Sequence, residues 1–402
     1  MGPKPSIIYC TKAKDTTSRS KRSGLRLYGE ASFVIMPDVG DAINSNIGAI
    51  KVKWYDTILL LIGTILAAAD PITDILTLRE FYLKDHKTWF GVGLVFIILP
   101  SLSMSRFYYD DRRCGTLTNE ESDDVKCINL IPDLTIGWNP LALAYMRFKA
   151  FILCFKNFKK LWQENLEDNC NKKIQHLLSS DFASASFQAS LESAPQFIIQ
   201  LYATVVQQEQ VTTIQITSLC VSFLSLAWES AIADVWRFSN VLAMREAGEI
   251  LQGKFIPKVV FFISQLFHLS SRLFAITFFT VGFKWWIIAV LIFHSIVMTF
   301  VRVYAARTTE MPPGFENNCV VLTMLCIFYW IRDDENSNAK VDKIMTLISN
   351  ILFVIENVTM ICVFYFKEES HQWYSVPVTV GVCVYSLISC LMRMTISRYL
   401  LK

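Results

Sequence analysis

The sequence predicts an all-α polytopic membrane protein, with about eight transmembrane helices plus two short re-entrant or part-inserted helices arranged in two related halves. Three observations carry this. The 402-residue chain is 53% hydrophobic, and its mean hydropathy of +0.37 is that of polytopic membrane proteins rather than soluble domains. Apolar runs of about 20 residues, long enough to cross the hydrocarbon as helices, recur along its length. The polar segments between them gather most of their basic residues on one side.

In chain order, residues 1–52 read as a cytosolic, largely disordered regulatory tail. It carries the basic stretch KAKDTTSRSKRSG with no signal-peptide-like apolar run behind it. Apolar runs then follow at 54–79, 88–107, 181–205, 211–236, 257–281, 284–304, 344–366 and 374–397. Two segments read as re-entrant or surface helices instead. Residues 139–155 are interrupted by Arg147 and Lys149, and 317–331 are short and hemmed by charge.

Eight crossings put the basic loops after 107, 236 and 304 on the same side as Arg393, Arg398 and Lys402, so both termini are expected in the cytosol. Residues 53–245 then form the first half of the membrane domain, and 246–402 the second half with a short cytosolic C-terminus. Each half reads as two spans, a short segment and two spans, which hints at an internal duplication. The echo between halves is SLESAP at 190–195 against VIENVT at 354–359, aligning Glu192 with Glu356.

FKNFKKLW at 155–162 places Phe155, Phe158 and Trp162 at i, i+3 and i+7 beside lysines. This pattern suits a helix on the anionic inner leaflet, and equally an ordinary amphipathic helix. The 11 cysteines are odd in number and form no CxxC pair, so they read as small core residues. Cys114 and Cys127 fall in a cytosolic loop and are expected to stay reduced. The Asn357-Val-Thr359 sequon lies inside a span and is expected to be unglycosylated. A net charge of +3 is too small to point to nucleic acid.

The charges inside the spans carry the functional reading. Asp56, Asp70 and Asp74 share one face of the first helix, a stripe roughly 27 Å long at helical rise. Pro71 sits within it and should kink the helix. Glu192, Glu229, Asp234, Arg237, Arg272 and Glu356 lie in other spans. Asp234 and Arg237, three apart, are placed to pair locally. Arg272 reads as the one firmly intramembrane cation and as the partner for an acid of the first half. Intramembrane ionisable groups mark pathways more often than packing, so the stripe reads as a polar route between leaflets. Its traffic is either phospholipid headgroups, moved passively, or ions and protons in a channel or coupled transporter. A scaffold whose charges only pair is the third reading. The chain has no GxxxxGK[ST] loop, no HExxH and no GxGD, so no enzyme chemistry, cofactor or metal is expected.

ASLESAPQFIIQLY at 189–202 resembles the signature of the XK-related family, to which caspase-activated phospholipid scramblases belong. The resemblance extends over most of the chain from about residue 54. Asp56, Asp70 and Asp74 are similar to that family's first-helix acids. Asp234-Val-Trp-Arg237 resembles its Asp-x-x-Arg, Arg272 in SSRLFAITFF its fifth-span arginine, and Glu356 its late-span acid. Trp89 resembles a bulky aromatic near the outer end of the second helix, a candidate gate; interfacial anchoring is the plainer role for such a residue. Gln188 departs from the pattern, standing where some members carry a second acid one turn before Glu192. The resemblance implies a passive, non-enzymatic phospholipid scramblase of the plasma membrane that exposes phosphatidylserine on apoptotic cells. A single-pass membrane protein is a candidate partner.

Unregulated scrambling would destroy leaflet asymmetry, so a switch is expected. PDVGDAINS at 37–45 offers one: Asp38 and Asp41 form a DxxD followed by the small Ala42, the pattern a caspase-type protease reads. Cutting after Asp41 would release the basic tail, and the layout resembles the nematode cell-death member cleaved at its N-terminus.

Overall fold

The computed structural model describes residues 52–100, 141–163, 188–207, 211–243, 255–308, 339–367 and 372–400, with parts of 165–178 and residues 327 and 328. The tail sites Asp38, Asp41 and Ala42, the loop cysteines Cys114 and Cys127, and most of 317–331 lie outside the described residues. Every regular element among those described is helical.

Helix α1 runs Trp54–Leu83, and Asp56 in its first turn accepts the Lys53 backbone N–H at 2.9 Å. Pro71 lies inside α1 without ending it. The proline removes one helical donor, and nearby the Thr73 hydroxyl donates to the carbonyls of Ala69 and Asp70 at 2.9 and 3.0 Å. A tight turn with Asp85 in the left-handed region (φ 61°) leads into α2, Lys87–Pro100. Helix α3 is Ala142–Lys156 and α4 is Phe158–Trp162. The expected continuous amphipathic helix through 155–162 is therefore broken at Asn157. Its side-chain amide donates to Leu153 O at 2.9 Å, and its backbone N–H to Cys154 O at 3.1 Å. An Asn so placed competes with the helix ladder for its own carbonyls.

The ESAPQ stretch opens with a π-turn, Ala189–Ser193, that continues into α5, Ala194–Val206. The cause is local. Pro195 has no N–H to offer the carbonyl one turn back, and the chain widens so that Ala194 N–H bonds Ala189 O instead. Four long helices and one slightly shorter complete the bundle: α6 (Thr213–Ala243), α7 (Phe255–Phe283), α8 (Trp286–Thr308), α9 (Ala339–Lys367) and α10 (Ser375–Leu400). Helix α7 is central and packs against α5, α6, α9 and α10, while α1 packs mainly on α3 and α6. The main core runs through α5–α10, with Leu269, Leu273, Phe278, Phe353, Ile361 and Phe364 at its centre.

Among the described residues, six helices are long and apolar enough to cross a membrane: α1, α6, α7, α8, α9 and α10. The other two expected spans fall on α2, of which only Lys87–Pro100 is described, and on the thirteen residues of α5 with its π-turn. Helix α3 is shorter, about 22 Å at helical rise. Its Leu143 and Ala144 meet Ala67 midway along α1, and its Ala150 and Cys154 join Val52 and Leu60 near the start of α1. Its described length thus lies along α1 from the Trp54 end to about half way. The described cysteines, Cys154, Cys170, Cys220, Cys362, Cys383 and Cys390, are free thiols.

Candidate functional site

The three acids of the α1 stripe meet three sets of partners. Asp56, at the Trp54 end, forms an ion pair with Lys258 of α7. The Lys258 ammonium also lies 4.8 Å from the centroid of the Tyr55 ring, and Tyr55 meets Phe255 edge-on. Asp70 Oδ2 accepts the Ser193 hydroxyl of the π-turn at 2.9 Å. Asp74 Oδ1 accepts three donors: Gln200 Nε2 at 2.8 Å, and the hydroxyls of Ser218 and Ser222 at 3.0 Å each. Asp70 and Asp74 are fully buried, so the stripe is turned into the bundle of α1, α5 and α6. The lipid-facing side of α1 is instead lined by Ile58, Ile65, Ile72 and Ile75.

This polar seam continues in both directions. Toward the Leu83 end, Glu80 accepts the Thr212 hydroxyl at 2.5 Å. Toward the Trp54 end, Glu192 is buried beside Gln188, whose amide hydrogen-bonds its carboxyl. Glu229 of α6 is paired at 3.6 Å with Arg147, the buried cation of α3. Arg147 Nη1 also donates to Gly63 O at 3.4 Å. Gly63 is required there: a Cβ would stand 2.7 Å from Trp228 Nε1. Several seam atoms have no protein partner among the described residues, namely Asp74 Oδ2, Gln200 Oε1, Thr77 Oγ1, Gln215 Nε2 and both amide atoms of Gln196.

A second cluster occupies the middle of α7, α8 and α9. Arg272 Nη1 reaches Glu356 Oε2 at 2.9 Å and Asn357 Oδ1 at 3.1 Å, and its Nε donates to Ile327 O at 3.0 Å. His294 Nδ1 shares the Glu356 carboxylate at 2.7 Å. Arg272 therefore pairs within the second half and not with a first-half acid, because α9 packs on α7 at that level. Nor is it the single buried cation, since Arg147 and Arg302 are equally buried. Asn357 is buried and donates to Ser271 Oγ at 3.3 Å. Glu192 and Glu356, aligned by the internal echo, thus lie in separate clusters, one in each half.

Asp234 hydrogen-bonds Gln265 Nε2, and Gln265 Oε1 accepts Arg393 Nη2 at 2.8 Å. One amide thus bridges an acid of α6 to a cation of α10. The side chain of Arg237, the expected local partner of Asp234, lies outside the described residues. Trp89 is half-buried at the start of α2 and packs against Tyr202 of α5, ring centroids 5.2 Å apart.

The residues that sequence reasoning passed over are the uncharged ones that hold the acids. Ser218, Ser222 and Ser225 fall at i, i+4 and i+7 of an apolar run that leads to Glu229, and Gln196 and Gln200 follow Glu192 at successive turns. Each is a one-sided polar stripe that the 3.6 period reveals.

Comparison with known proteins supplies the family. A 25% identical relative from Tetraodon nigroviridis, "XK-related protein 9", aligns over 55% of this chain and 57% of its own length. "XK-related protein 8" from the same species is 24% identical over 44% of this chain and 43% of its own. "Endoplasmic reticulum membrane adapter protein XK" of Mus musculus is 26% identical over 52% of this chain and 50% of its own. The chain spans about half the length of the curated relatives it matches. The profile described as XK-related protein matches residues 58–396, from the first turns of α1 almost to the end of α10. The chain belongs to the XK-related family.

Proposed function

We propose that this protein is a passive phospholipid scramblase of the plasma membrane, with about eight transmembrane helices and both termini in the cytosol. In this reading a caspase-type protease cuts after Asp41 and switches it on, exposing phosphatidylserine on apoptotic cells. The proposal involves no covalent step and no cofactor.

The observation that supports it is the polar seam between α1, α5 and α6. A buried polar atom left without a partner costs about 1–3 kcal/mol, and such atoms are ordinarily met by water or ligand. The seam contains five residues with atoms of this kind, grouped around two carboxylates in an otherwise apolar bundle. A headgroup crossing the membrane needs that chemistry: hydroxyl and amide donors for phosphate, carboxylates for an amine. The tails would remain on the isoleucine-lined side of α1. The DxxD-Ala site supports the switch, because cutting after Asp41 would release the basic stretch that precedes it.

A membrane adapter is the second reading. The mouse relative's name supports it, as does the Arg272–Glu356–His294 cluster, whose ion pair and hydrogen bonds cross-link three helices.

The deciding experiment reconstitutes the full chain in liposomes with headgroup-labelled lipid in both leaflets. An impermeant quencher is added before and after caspase treatment. Inner-leaflet signal lost only after cutting, with an encapsulated dye still protected, supports a switched scramblase. Asp41→Ala should abolish that response. Unchanged signal after verified cutting overturns the reading, and ion conductance under the same conditions would redirect it to an ion or proton pathway.

A further inference from the structure

Helix α3 has two faces with different duties. Leu143, Ala144, Arg147, Ala150 and Cys154 are buried against α1. The opposite face is an exposed aromatic stripe: Tyr145 and Phe148 are 41% and 48% exposed, and Phe155 is 62% exposed. These rings continue through Phe151, whose centroid lies 6.2 Å from Phe148 and 5.7 Å from Phe155. Against lipid such a stripe needs no protein partner.

Lys149 is the anomaly. It is exposed on the side of this stripe, and its ammonium sits 4.6 Å from the centroid of the Tyr145 ring. Ala150, its neighbour, shares a buried cluster with Leu60 of α1, and Ala144 shares one with Ala67; Leu60 and Ala67 set the levels between which Lys149 falls. Measured along α1 from Trp54, those levels are about 9 Å and about 20 Å into the bundle. A lipid-facing lysine at that depth ordinarily stretches its stem to the nearest interface. Lys149 instead leans toward the N-terminus of its own helix, as helical side chains do, and in α3 that is the deep end. Among the described residues no carboxylate meets it, and the Tyr145 ring is its contact. A cation held below the interface on the lipid side calls for an anion that arrives with the lipid.

Three further lysines continue the line outward. Lys156, Lys159 and Lys160 are exposed at the end of α3 and on α4. Lys160 is engaged by Glu167 at 2.6 Å, which leaves Lys156 and Lys159 facing outward. Trp162, 59% exposed, packs on Trp54 at 4.8 Å and marks the interface at this end.

We propose that the outer face of α3 is a binding site for the phosphate of a membrane lipid, with Lys149 and the Tyr145 hydroxyl as its deep contacts and Lys156 and Lys159 at its mouth. The site lies on the opposite face of α3 from Arg147, so one short helix touches a lipid phosphate outside and the Glu229 carboxylate inside. It deepens the scramblase reading by giving the headgroup a station below the interface, and its existence does not depend on that activity.

The test uses the full chain in nanodiscs of phosphatidylcholine doped with phosphatidylglycerol, with bound anionic lipid counted by native mass spectrometry after release. Wild type should retain phosphatidylglycerol. Lys149→Gln should reduce retention about fivefold, the equivalent of about 1 kcal/mol for one lysine at an anionic surface, and Lys149→Arg should preserve it. Millimolar inorganic phosphate should not compete. Because Lys149 is exposed, its Gln variant should melt with wild type, so a loss of lipid is not a loss of fold. Equal retention by wild type and Lys149→Gln overturns the site. Displacement by inorganic phosphate overturns the lipid as ligand. Lipid transfer in liposomes is measured in parallel. Retention without transfer sinks the scramblase reading and leaves the site standing, and transfer without retention does the reverse.

Discussion

Arg272 and Glu356 form an ion pair in the interior of the second half, Nη1 to Oε2 at 2.9 Å, joining α7 to α9. His294 of α8 closes on the same carboxylate. Three helices thus converge on one acid, and Phe353 covers it, with the Arg272 guanidinium 5.0 Å from the ring centroid.

Removing one partner leaves the other charge buried and alone. Arg272→Met is expected to destabilise the chain by about 3–5 kcal/mol, the range for a broken buried pair. Arg272→Met with Glu356→Leu should recover much of that loss, since no charge remains to be buried. Thermal unfolding in detergent, followed by size-exclusion recovery, checks both.

Asp74 separates transport from folding. Asp74→Asn keeps an acceptor oxygen for Gln200, Ser218 and Ser222, so its melting temperature should stay within a few degrees of wild type. Its lipid transfer should fall at least tenfold if the carboxylate charge serves the headgroup. Asp74→Ala strands three buried donors and should destabilise by about 1–3 kcal/mol for each group left unmade. Equal transfer by wild type and Asp74→Asn would remove this acid from the path.

Gln265 is held by charge on both sides, which fixes its amide: nitrogen toward Asp234, oxygen toward Arg393. Gln265→Leu should cost about 2–5 kcal/mol by uncoupling two part-buried charges. Gln265→Glu repels Asp234 and should be comparably damaging alone, whereas adding Asp234→Asn should restore stability. A double-mutant cycle measured by thermal unfolding gives the coupling.

Gly63 permits the close approach of α6 to α1. Gly63→Ala places a methyl 2.7 Å from Trp228 Nε1, an overlap worth about 1–3 kcal/mol in a packed interior. The same shift should loosen Arg147 from Gly63 O. Reduced thermal stability with blue-shifted or quenched Trp fluorescence would register the move.

The helices were legible because hydropathy and the 3.6 period report burial directly: α1 and α6–α10 stand where their apolar runs are. The acids were legible too, since an Asp in an apolar run is conspicuous. Their partners were harder to see. Arg147 lies in a segment that composition marks as interrupted, yet its burial depends on α3 packing against α1 within reach of Glu229. The preference of Arg272 for Glu356 over a first-half acid depends on which helices α7 touches at that depth, and no single-chain periodicity encodes that. Asn157 carried a local signal that the aromatic spacing of 155–162 masked.

The π-turn at Ala189–Ser193 behaves as a phase shifter. An extra residue in one turn rotates everything before it by about 100° relative to everything after it. Ser193 meets Asp70, and seven residues on Gln200 meets Asp74. Deleting a single residue between Gln188 and Ser193 would let the segment relax into a plain α-helix and swing Gln188 out of register with the seam. Side chains here tolerate exchange better than the chain tolerates a change in count, so the length of this turn is as much a specification as its composition.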